Sequence, residues 1–227
     1  VYAHAVDIYS ENQVLQYLDH PGFSRSKVRV MPDVHVGNGA VVGFTATMTE
    51  KVIPHLVGVD IGCGVSAWNL GRVKLNAEKL DKFIRKRFPF GVGIHREPLE
   101  PEVVEASYRL LRETAGDMTF DGFMDGLRRI CSDRGINIGH VLRSIGSLGG
   151  GNHFIEAGKD PENNHWLLIH SGSRNFGYKI ARYHQDLAVE KTGKDSKIKY
   201  LEGQDAQAYL DESRVAQEFA RLNRRVM

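Results

Sequence analysis

The sequence has few cysteines and no long apolar run, and both shortages limit what the protein can be. Only two of its 227 residues are cysteines, and Cys63 and Cys131 lie in a loop-like and a helix-like segment, which is no disulfide framework. A reducing compartment fits this usage, so we expect a cytoplasmic protein. No apolar stretch approaches the roughly 20 residues of a membrane span. The N-terminus also lacks a basic region followed by an apolar one, so the sequence predicts no contact with a membrane.

An excess of one charge sign is also missing. The chain has 30 Lys and Arg against 28 Asp and Glu, a net charge of +2, so composition alone does not indicate a nucleic-acid-binding protein. Any RNA site must therefore depend on local clusters of basic residues, although solvated helix faces explain such clusters equally well. The clusters are Lys82, Arg85, Lys86 and Arg87, and then Arg128, Arg129, Arg134 and Arg143.

The order of the predicted elements favours an α+β fold. With 227 residues and 41% hydrophobic content, the chain can bury roughly 70% of its unfolded surface, and we expect one globular domain over residues 1–227. Strands and helices alternate without a regular βαβ period, which indicates mixed, largely antiparallel sheets with surrounding helices. Strands are predicted at 28–31 and 42–48, and a hairpin at 153–157 and 166–170.

Several predicted helices begin at recognisable capping residues. Ser10 followed by Gln13 predicts a capping box. Asn76 predicts the N-cap of a helix that ends at Arg87, and Pro101 predicts the first position of another helix. Further helices are predicted at 120–131, 138–145, 177–191 and from 211 onward.

The last predicted helix carries an apolar stripe that has no later sequence to pack against. The chain also begins at Val1 without a methionine. Both features predict that the sequence is a piece of a longer polypeptide. The stripe consists of Val215, Phe219, Leu222 and Val226.

The segment VGVDIGCGV, residues 57–65, places a carboxylate and a cysteine three positions apart among glycines. Glycine lets the backbone turn tightly enough to bring Asp60 and Cys63 to one point, where the two side chains could bind a metal. A cysteine that is simply a small buried hydrophobic residue explains the same segment.

The segment GGGNHFIE, residues 149–156, adds a histidine to this set. In a flat strand, Asn152 and Glu156 would share one face while His153 pointed to the other. Both faces can serve one site only if the backbone bends, which the glycines permit. The alternative is an ordinary core histidine beside Phe154.

The segment LLIHSGSRNFG, residues 167–177, places His170 at the end of an apolar strand, before a loop that leads into a helix. Free N–H groups at a helix start, with Arg174 as a two-donor partner, favour binding of a phosphate. A well-capped connection with an exposed arginine is the alternative.

The segment MPDVHVGNGAVVG, residues 31–43, carries Asp33 and His35 between two predicted strands. An Asx-type turn with a buried histidine would account for them. Considered jointly, the four segments supply carboxylate, thiolate and imidazole groups in glycine-rich or strand-end positions. Such a set suits a borderline metal such as Mn²⁺ or Zn²⁺, and a thiolate at Cys63 could bridge two ions.

The same blocks resemble a known family. MPDVH with GNGAVVG, VGVDIGCG, SLGGGNHFIE and HSGSRNFG, in this order and spacing, are similar to the signature blocks of the RtcB family of RNA splicing ligases. This resemblance implies an RtcB-like fold and a GTP- and Mn²⁺-dependent enzyme. It would join RNA 3′-phosphate or 2′,3′-cyclic phosphate ends to 5′-hydroxyl ends in tRNA splicing and RNA repair. The implied partners are RNA, GTP and, in many members, an archease activator.

The resemblance also implies roles for individual residues. Asp60, Cys63 and His153 would hold one Mn²⁺ ion, and Cys63 and His170 would hold a second, with Zn²⁺ as the other metal that these ligands accept. Arg174 would bind RNA or nucleotide phosphate, and Asp33 would orient the metal site. The GTP site would be lined by Asn152, His153, Phe154, Ile155 and Glu156.

Three later parts of the family pattern have no counterpart here, namely a further histidine metal ligand, further GTP-contacting blocks and the guanylated histidine. No histidine of this sequence lies in a block that resembles the guanylated one, which predicts a truncated chain rather than a degenerate relative. Two other functions stay open at this point. One is a metal-dependent phosphoesterase acting on cyclic phosphates, and the other is a non-catalytic module that binds metal or RNA. Consumption of GTP separates the ligase from the phosphoesterase, and metal content tests the third function.

Overall fold

A computed structural model describes residues 2–20, 23–37, 39–112, 118–196 and 198–227. The chain divides into two compact units. Unit 1 comprises Val1–Val59 and Ala181–Asp211, and unit 2 comprises Asp60–Ile180 and Glu212–Met227. Nothing in the composition marks this division, because each unit is built from two separated stretches. One catalytic domain over residues 1–227 therefore stays a prediction.

Unit 1 begins with helix α1 (Ile8–Leu18), followed by the antiparallel strands β1 (Val28–His35) and β2 (Val42–Ala46) and the short helix α2 (Pro54–Val57). Its core is an apolar cluster around Phe23, Ile53 and Ile198. The capping box predicted at Ser10 is wrong. Asp7 is the N-cap of α1, since its side chain accepts from the Tyr9 and Ser10 amides, and Ser10 lies inside the helix.

Unit 2 contains three strands, β3 (Gly64–Gly71), β4 (Phe154–Lys159) and β5 (His165–Ser171). They form an antiparallel sheet in the order β3-β5-β4. The helices that follow α2 in the chain are α3 (Ala77–Arg87), α4 (Pro101–Arg112), α5 (Phe120–Asp133), α6 (Ile138–Ser144), α7 (Arg174–Thr192) and α8 (Gly203–Val226). The two longest, α7 and α8, each contribute residues to both units. Helices beside small antiparallel sheets confirm the predicted α+β class.

Helix α8 completes the core of unit 2. Phe219 is fully buried and its ring centroid lies 5.5 Å from that of Phe176 on α7. Leu222 is also fully buried, and Val215 packs beside Gly126 of α5. The stripe has no later sequence to pack against, and α5 and α7, earlier in the chain, supply its partners.

Local signals located several elements correctly. The predicted hairpin is the antiparallel pair β4 and β5. Asn76 caps α3 by accepting from the Lys79 amide at 2.9 Å, and Pro101 is the first residue of α4. Helix α7 begins at Arg174, three residues earlier than predicted, and β3 was not predicted. Within the described ranges, no helix is both long enough and apolar enough to cross a bilayer.

Candidate metal centre

Asp60 and Cys63 occupy a tight turn that leads into β3. The Cys63 amide donates to the Asp60 carbonyl oxygen at 3.1 Å. Gly62 between them has φ of 78°, and a Cβ at this position would lie 2.9 Å from the Cα of Gln217 on α8. Only glycine combines a left-handed backbone with so close an approach. The turn therefore brings both side chains to one place, and Cys63 is exposed.

His153 and His170 enter the site from the β4–β5 hairpin. His170 lies on β5, and His153 immediately precedes β4. The Nδ1 of His153 donates to the Leu148 carbonyl oxygen at 2.9 Å, and the Nδ1 of His170 donates to the Asn152 carbonyl oxygen at 3.0 Å. Because a carbonyl oxygen only accepts, these bonds orient both rings and leave each Nε2 to act as a metal ligand.

The four predicted metal ligands converge. The Sγ of Cys63 lies 3.4 Å from the Nε2 of His153 and 3.1 Å from the Nε2 of His170. The Nε2 of His153 also lies 2.9 Å from the Oδ2 of Asp60. Metal bonds of about 2.0–2.3 Å would separate tetrahedral ligand atoms by about 3.3–3.7 Å. Carboxylate, thiolate and imidazole atoms thus lie at nearly the spacing that one borderline metal ion requires.

The convergence has two parts. Asp60, Cys63 and His153 each offer one ligand atom, and these atoms all lie within 4.8 Å of one another. His170 does not belong to that group of three, and it contacts the group through the Cys63 sulfur and, edge-on, through the His153 ring, whose centroid lies 5.4 Å away. The Cys63 sulfur therefore lies beside both Nε2 atoms, which is the arrangement that two ions sharing Cys63 would need.

The acid–base state of the cluster depends on its hydrogen bonds. Burial raises the pKa of Asp60, but hydrogen bonds from His153, the Ser173 amide and Cys63 outweigh this effect and hold that pKa below its ordinary value. The side-chain hydrogen bonds to Asp60 and Cys63 raise the pKa of His153 to about 9. The Nε2 proton of His153 lies where a cation would bind, so metal binding would release a proton.

Asn223 on α8 connects the segments that carry the two histidines. It is fully buried. Its Oδ1 accepts from the amides of Gly146 at 2.8 Å and Ser147 at 3.2 Å. Its Nδ2 donates to the Ser147 carbonyl oxygen, the Ser171 Oγ and the Gly172 carbonyl oxygen at 3.0–3.2 Å. One amide group thus holds the loop before His153 against the segment after His170.

Arg224, the next residue, extends this connection to the Asp60–Cys63 turn. Its Nη1 donates to the carbonyl oxygens of Gly62 at 2.9 Å and Ser171 at 2.8 Å. Burial lowers the pKa of Arg224, whereas the nearby Cys63 and Asp60 charges oppose that shift. A buried cation at this position would stabilise negative charge on Asp60, and on Cys63 when it binds a metal as a thiolate.

Asn223 and Arg224 were missed from sequence. A signal was present, because Asn223 follows Phe219 by four residues and Leu222 by one. It therefore falls on the apolar face of its helix, where a polar side chain needs a partner. The sequence does not identify the groups that hydrogen-bond to Asn223, and only the fold shows them.

Arg174 is the first residue of α7 and has φ of 57°, an uncommon backbone conformation for a residue with a side chain. Its Nε donates to the Ser147 Oγ at 3.1 Å, and its Nη2 donates to the Gly91 carbonyl oxygen at 2.9 Å. Burial lowers its pKa, and the charge of Asp60 opposes this. The guanidinium therefore lies beside the metal ligands, with two of its donors used inside the protein.

Replacing Arg174 by lysine is expected to weaken binding of a 3′-phosphate-terminated oligoribonucleotide more than tenfold. Lysine keeps the charge but lacks the planar fork that can hold Ser147, Gly91 and a phosphate together. Fluorescence anisotropy measures the affinity, and Arg109→Lys on the exposed face of α4 is the matched control. Equal affinities of the two variants would show that Arg174 does not contact the RNA end.

The residues predicted to contact GTP form a strip beside the histidines. Asn152, Phe154 and Glu156 are exposed, whereas His153 and Ile155 are half-buried. The Phe154 ring lies edge-on to the His170 ring, with centroids 5.2 Å apart. The strand begins only at Phe154, so the bend that brings His153 to the metal ligands precedes it.

Asp33 lies on β1 in unit 1, whereas the four metal-ligand candidates all lie in unit 2. It occupies the irregular part of β1, between the register positions Val30 and His35. Its carbonyl oxygen lies 2.6 Å from the Nδ1 of His35. The Asx-type turn considered for this segment is replaced by an irregular strand. A role for Asp33 in orienting the metal site stays a prediction.

An antiparallel sheet whose strands, and the turns that lead into them, bring carboxylate, cysteine and imidazole groups to one point defines a candidate metalloprotein of the α+β class. Comparison with protein families then gives the particular family. The model described as tRNA-splicing ligase RtcB matches residues 13–227, which is nearly the whole chain. The chain therefore belongs to the RtcB family.

Curated relatives agree with this assignment. RNA-splicing ligase RtcB of Escherichia coli K12 is 32% identical over 88% of this chain and 51% of its own length. RNA-splicing ligase RtcB of Mycobacterium tuberculosis is 31% identical over 95% and 60%, respectively. The tRNA-splicing ligase RtcB of Nanoarchaeum equitans is 26% identical over 87% and 50%. The chain thus spans about half the length of most of these relatives.

Proposed function

We propose that this chain is the metal-binding part of a GTP- and Mn²⁺-dependent RNA ligase. The enzyme would join RNA 3′-phosphate or 2′,3′-cyclic phosphate ends to 5′-hydroxyl ends in tRNA splicing and RNA repair, with archease as a possible activator. The observation that carries the proposal is the convergence of Asp60, Cys63 and His153 on one point in an RtcB family member. Zn²⁺ is the alternative metal, since the same ligands accept it.

The residues of the site would divide the work between metal binding and phosphate binding. Divalent ions held by Asp60, Cys63, His153 and His170 would neutralise phosphate charge. The two carboxylate oxygens of Asp60 have different partners. The Oδ1 accepts a hydrogen bond from the Ser173 amide at 3.0 Å, and the Oδ2 faces the His153 ring, where it could bind the metal. The Ser173 bond would keep the carboxylate in place. Arg174 would add donors for the RNA phosphate.

GTP would lie along the strip that precedes and opens β4. The exposed side chains of Asn152, Phe154 and Glu156 supply an amide, an aromatic ring and a carboxylate for contacts with a nucleotide. His153 and Ile155 are less exposed, and their part would be to shape the strip from beneath. The His170 bond to the Asn152 carbonyl oxygen couples this strip to the metal ligands.

A metal-dependent phosphoesterase is the second candidate. The ring nitrogens of His153 and His170 favour this function, because none of them is available to form a covalent bond with GMP. Both Nδ1 atoms donate to carbonyl oxygens, and both Nε2 atoms face Cys63. Such a site hydrolyses a cyclic phosphate without a histidine nucleophile. A ligase consumes GTP and a phosphoesterase does not, so nucleotide dependence separates them.

The 227 residues are expected to bind Mn²⁺ yet to form no covalent GMP adduct when supplied with GTP. A nucleophilic histidine must lie in line with the α-phosphate, roughly 3 Å away, and the ring nitrogens of His153 and His170 are already committed. Calorimetry measures Mn²⁺ binding and intact-protein mass spectrometry measures the adduct.

The matched control for this experiment is the same chain treated with a chelator, which should show neither metal binding nor an adduct. An acid-labile GMP adduct on His153 or His170 would contradict the assignment of these residues as metal ligands, and one on any other histidine would contradict the prediction of no adduct. Absence of Mn²⁺ and Zn²⁺ binding would contradict the proposed function as a whole.

A further inference from the structure

Residues 88–92, here called the rim loop, are held against the segment that carries the metal-site histidine. The Leu148 amide donates to the Pro89 carbonyl oxygen at 2.8 Å, and the Gly91 amide donates to the Gly149 carbonyl oxygen at 2.7 Å. Arg174 bonds the Gly91 carbonyl oxygen from the other side. The rim loop is therefore rigidly placed beside the metal ligands.

Gly149 shows how close this placement is. A Cβ at Gly149 would lie only 2.5 Å from the Nδ1 of His153 and 2.0 Å from the Nη1 of Arg174. The residue that pairs with the rim loop thus touches a metal-ligand candidate directly. The backbone of the rim loop is therefore separated from the His153 ring by a single residue.

Two of those side chains are apolar and point into solvent. Phe90 is 63% exposed and Val92 is fully exposed. Burying such side chains normally contributes about 1.5–3 kcal/mol each, yet the backbone bonds of the loop hold them outward. Among the described residues, none covers Phe90.

Helix α3 leads into the rim loop and continues the same surface. Phe83 is 58% exposed, and its ring lies edge-on to that of Phe88, with centroids 6.1 Å apart. Helical spacing places Lys79, Phe83 and Lys86 on one side of α3. None of the eleven residues of α3 is buried, and five of them are basic against two acidic. Exposed aromatic rings and basic side chains therefore lie side by side on α3 and in the rim loop that follows it.

We infer that the rim loop and α3 form a stacking surface for the unpaired bases of an RNA strand whose end lies at the metal centre. This inference rests on the proposed function. Single-stranded nucleic acid is bound by aromatic rings under the bases and basic side chains along the phosphates, which matches the rings and basic side chains here. Stacking needs no particular base, so the preferred RNA has an unpaired end of any sequence.

The stacking surface would bind single-stranded RNA ends in preference to duplex ends. A base in a duplex is already stacked on its neighbours and cannot cover Phe90 without unpairing. An RNA end with several unpaired nucleotides should therefore bind more tightly than the blunt end of a duplex. Lys79, Lys86 and Arg87 would make this binding weaken as salt rises.

The test compares Phe90→Ala, Phe83→Ala and Phe90→Trp by fluorescence anisotropy with a single-stranded oligoribonucleotide. Loss of one stacked base costs 1–3 kcal/mol, so each alanine variant should bind about fivefold or more weakly, whereas Phe90→Trp should bind as the parent does. Leu110→Ala on α4 is the matched control, because Leu110 is also an exposed apolar side chain, 47% accessible. It should leave the affinity unchanged.

The same measurement in Cys63→Ala separates this inference from the proposed metal function. Retained Mn²⁺ binding in Cys63→Ala, together with a persisting effect of Phe90→Ala, would contradict the metal site and support the stacking surface. Equal RNA affinities of parent, Phe90→Ala and Phe83→Ala would overturn the stacking surface alone. A change in sedimentation of the protein on Phe90→Ala without a change in RNA affinity would also overturn it, because the ring would then serve a protein contact.

Discussion

Cys63→Ala is expected to abolish Mn²⁺ binding at both ion positions. The Cys63 Sγ contacts the Nε2 atoms of both His153 and His170, so in the proposed site it would be the ligand that the two positions share. Asp60 and His153 alone leave too few ligands for a tightly held ion. Isothermal titration calorimetry with Mn²⁺ gives the number of ions bound and their affinity.

The free energy of unfolding of Cys63→Ala without added metal should hardly change, because Cys63 is exposed. Cys131→Ala is the matched control. Cys131 is buried in α5, and burial raises the pKa of its thiol to about 11, so it stays a neutral core residue. Its replacement should cost about 1 kcal/mol of stability and leave metal binding intact. Retention of two bound ions in Cys63→Ala would disprove the shared-ligand arrangement.

Asn223→Ala is expected to lower both stability and metal affinity. Asn223 makes five hydrogen bonds to buried groups on either side of the histidine-bearing segments. Each group left unsatisfied costs about 1–3 kcal/mol, so several kcal/mol of unfolding free energy should be lost. Residues that orient metal ligands change affinity by about 10–100-fold, and we expect a loss in that range.

Asn137→Ala distinguishes this positioning role from general destabilisation. Asn137 is the N-cap of α6, where its side chain accepts from the His140 amide. Losing this cap should cost about 1 kcal/mol without moving any metal ligand. Urea unfolding and Mn²⁺ titration are measured on both variants. If Asn223→Ala binds Mn²⁺ as tightly as Asn137→Ala, then Asn223 serves stability only.

Elements that depend on neighbouring residues were predictable from the sequence. The Asn76 cap, the Pro101 helix start and the β4–β5 hairpin each follow from capping or turn chemistry within a few positions. The glycines around Asp60 and Cys63 likewise predicted a tight turn, because few other residues adopt such a backbone. The residue types of the metal ligands were evident in the same way.

Features that depend on partners far along the chain were not predictable. Strand β3 was missed because it is paired to β5, about a hundred residues later. The sequence showed no later segment against which the apolar stripe of α8 could pack, and only the fold shows that α5 and α7 are its partners. The two-unit division depends on separated stretches in the same manner.

The sequence by itself determined the donor types, the tight turn at Gly62 and the family to which the chain belongs, because these depend on residue identity and local backbone geometry. Only the tertiary structure decided that Cys63 lies between two histidine Nε2 atoms and that Asn223 joins their segments. Hydrogen bonds and ligand distances between residues some 50–110 positions apart depend on how the chain folds back on itself. The spacing of residues along the sequence does not show which distant residues the fold brings into contact.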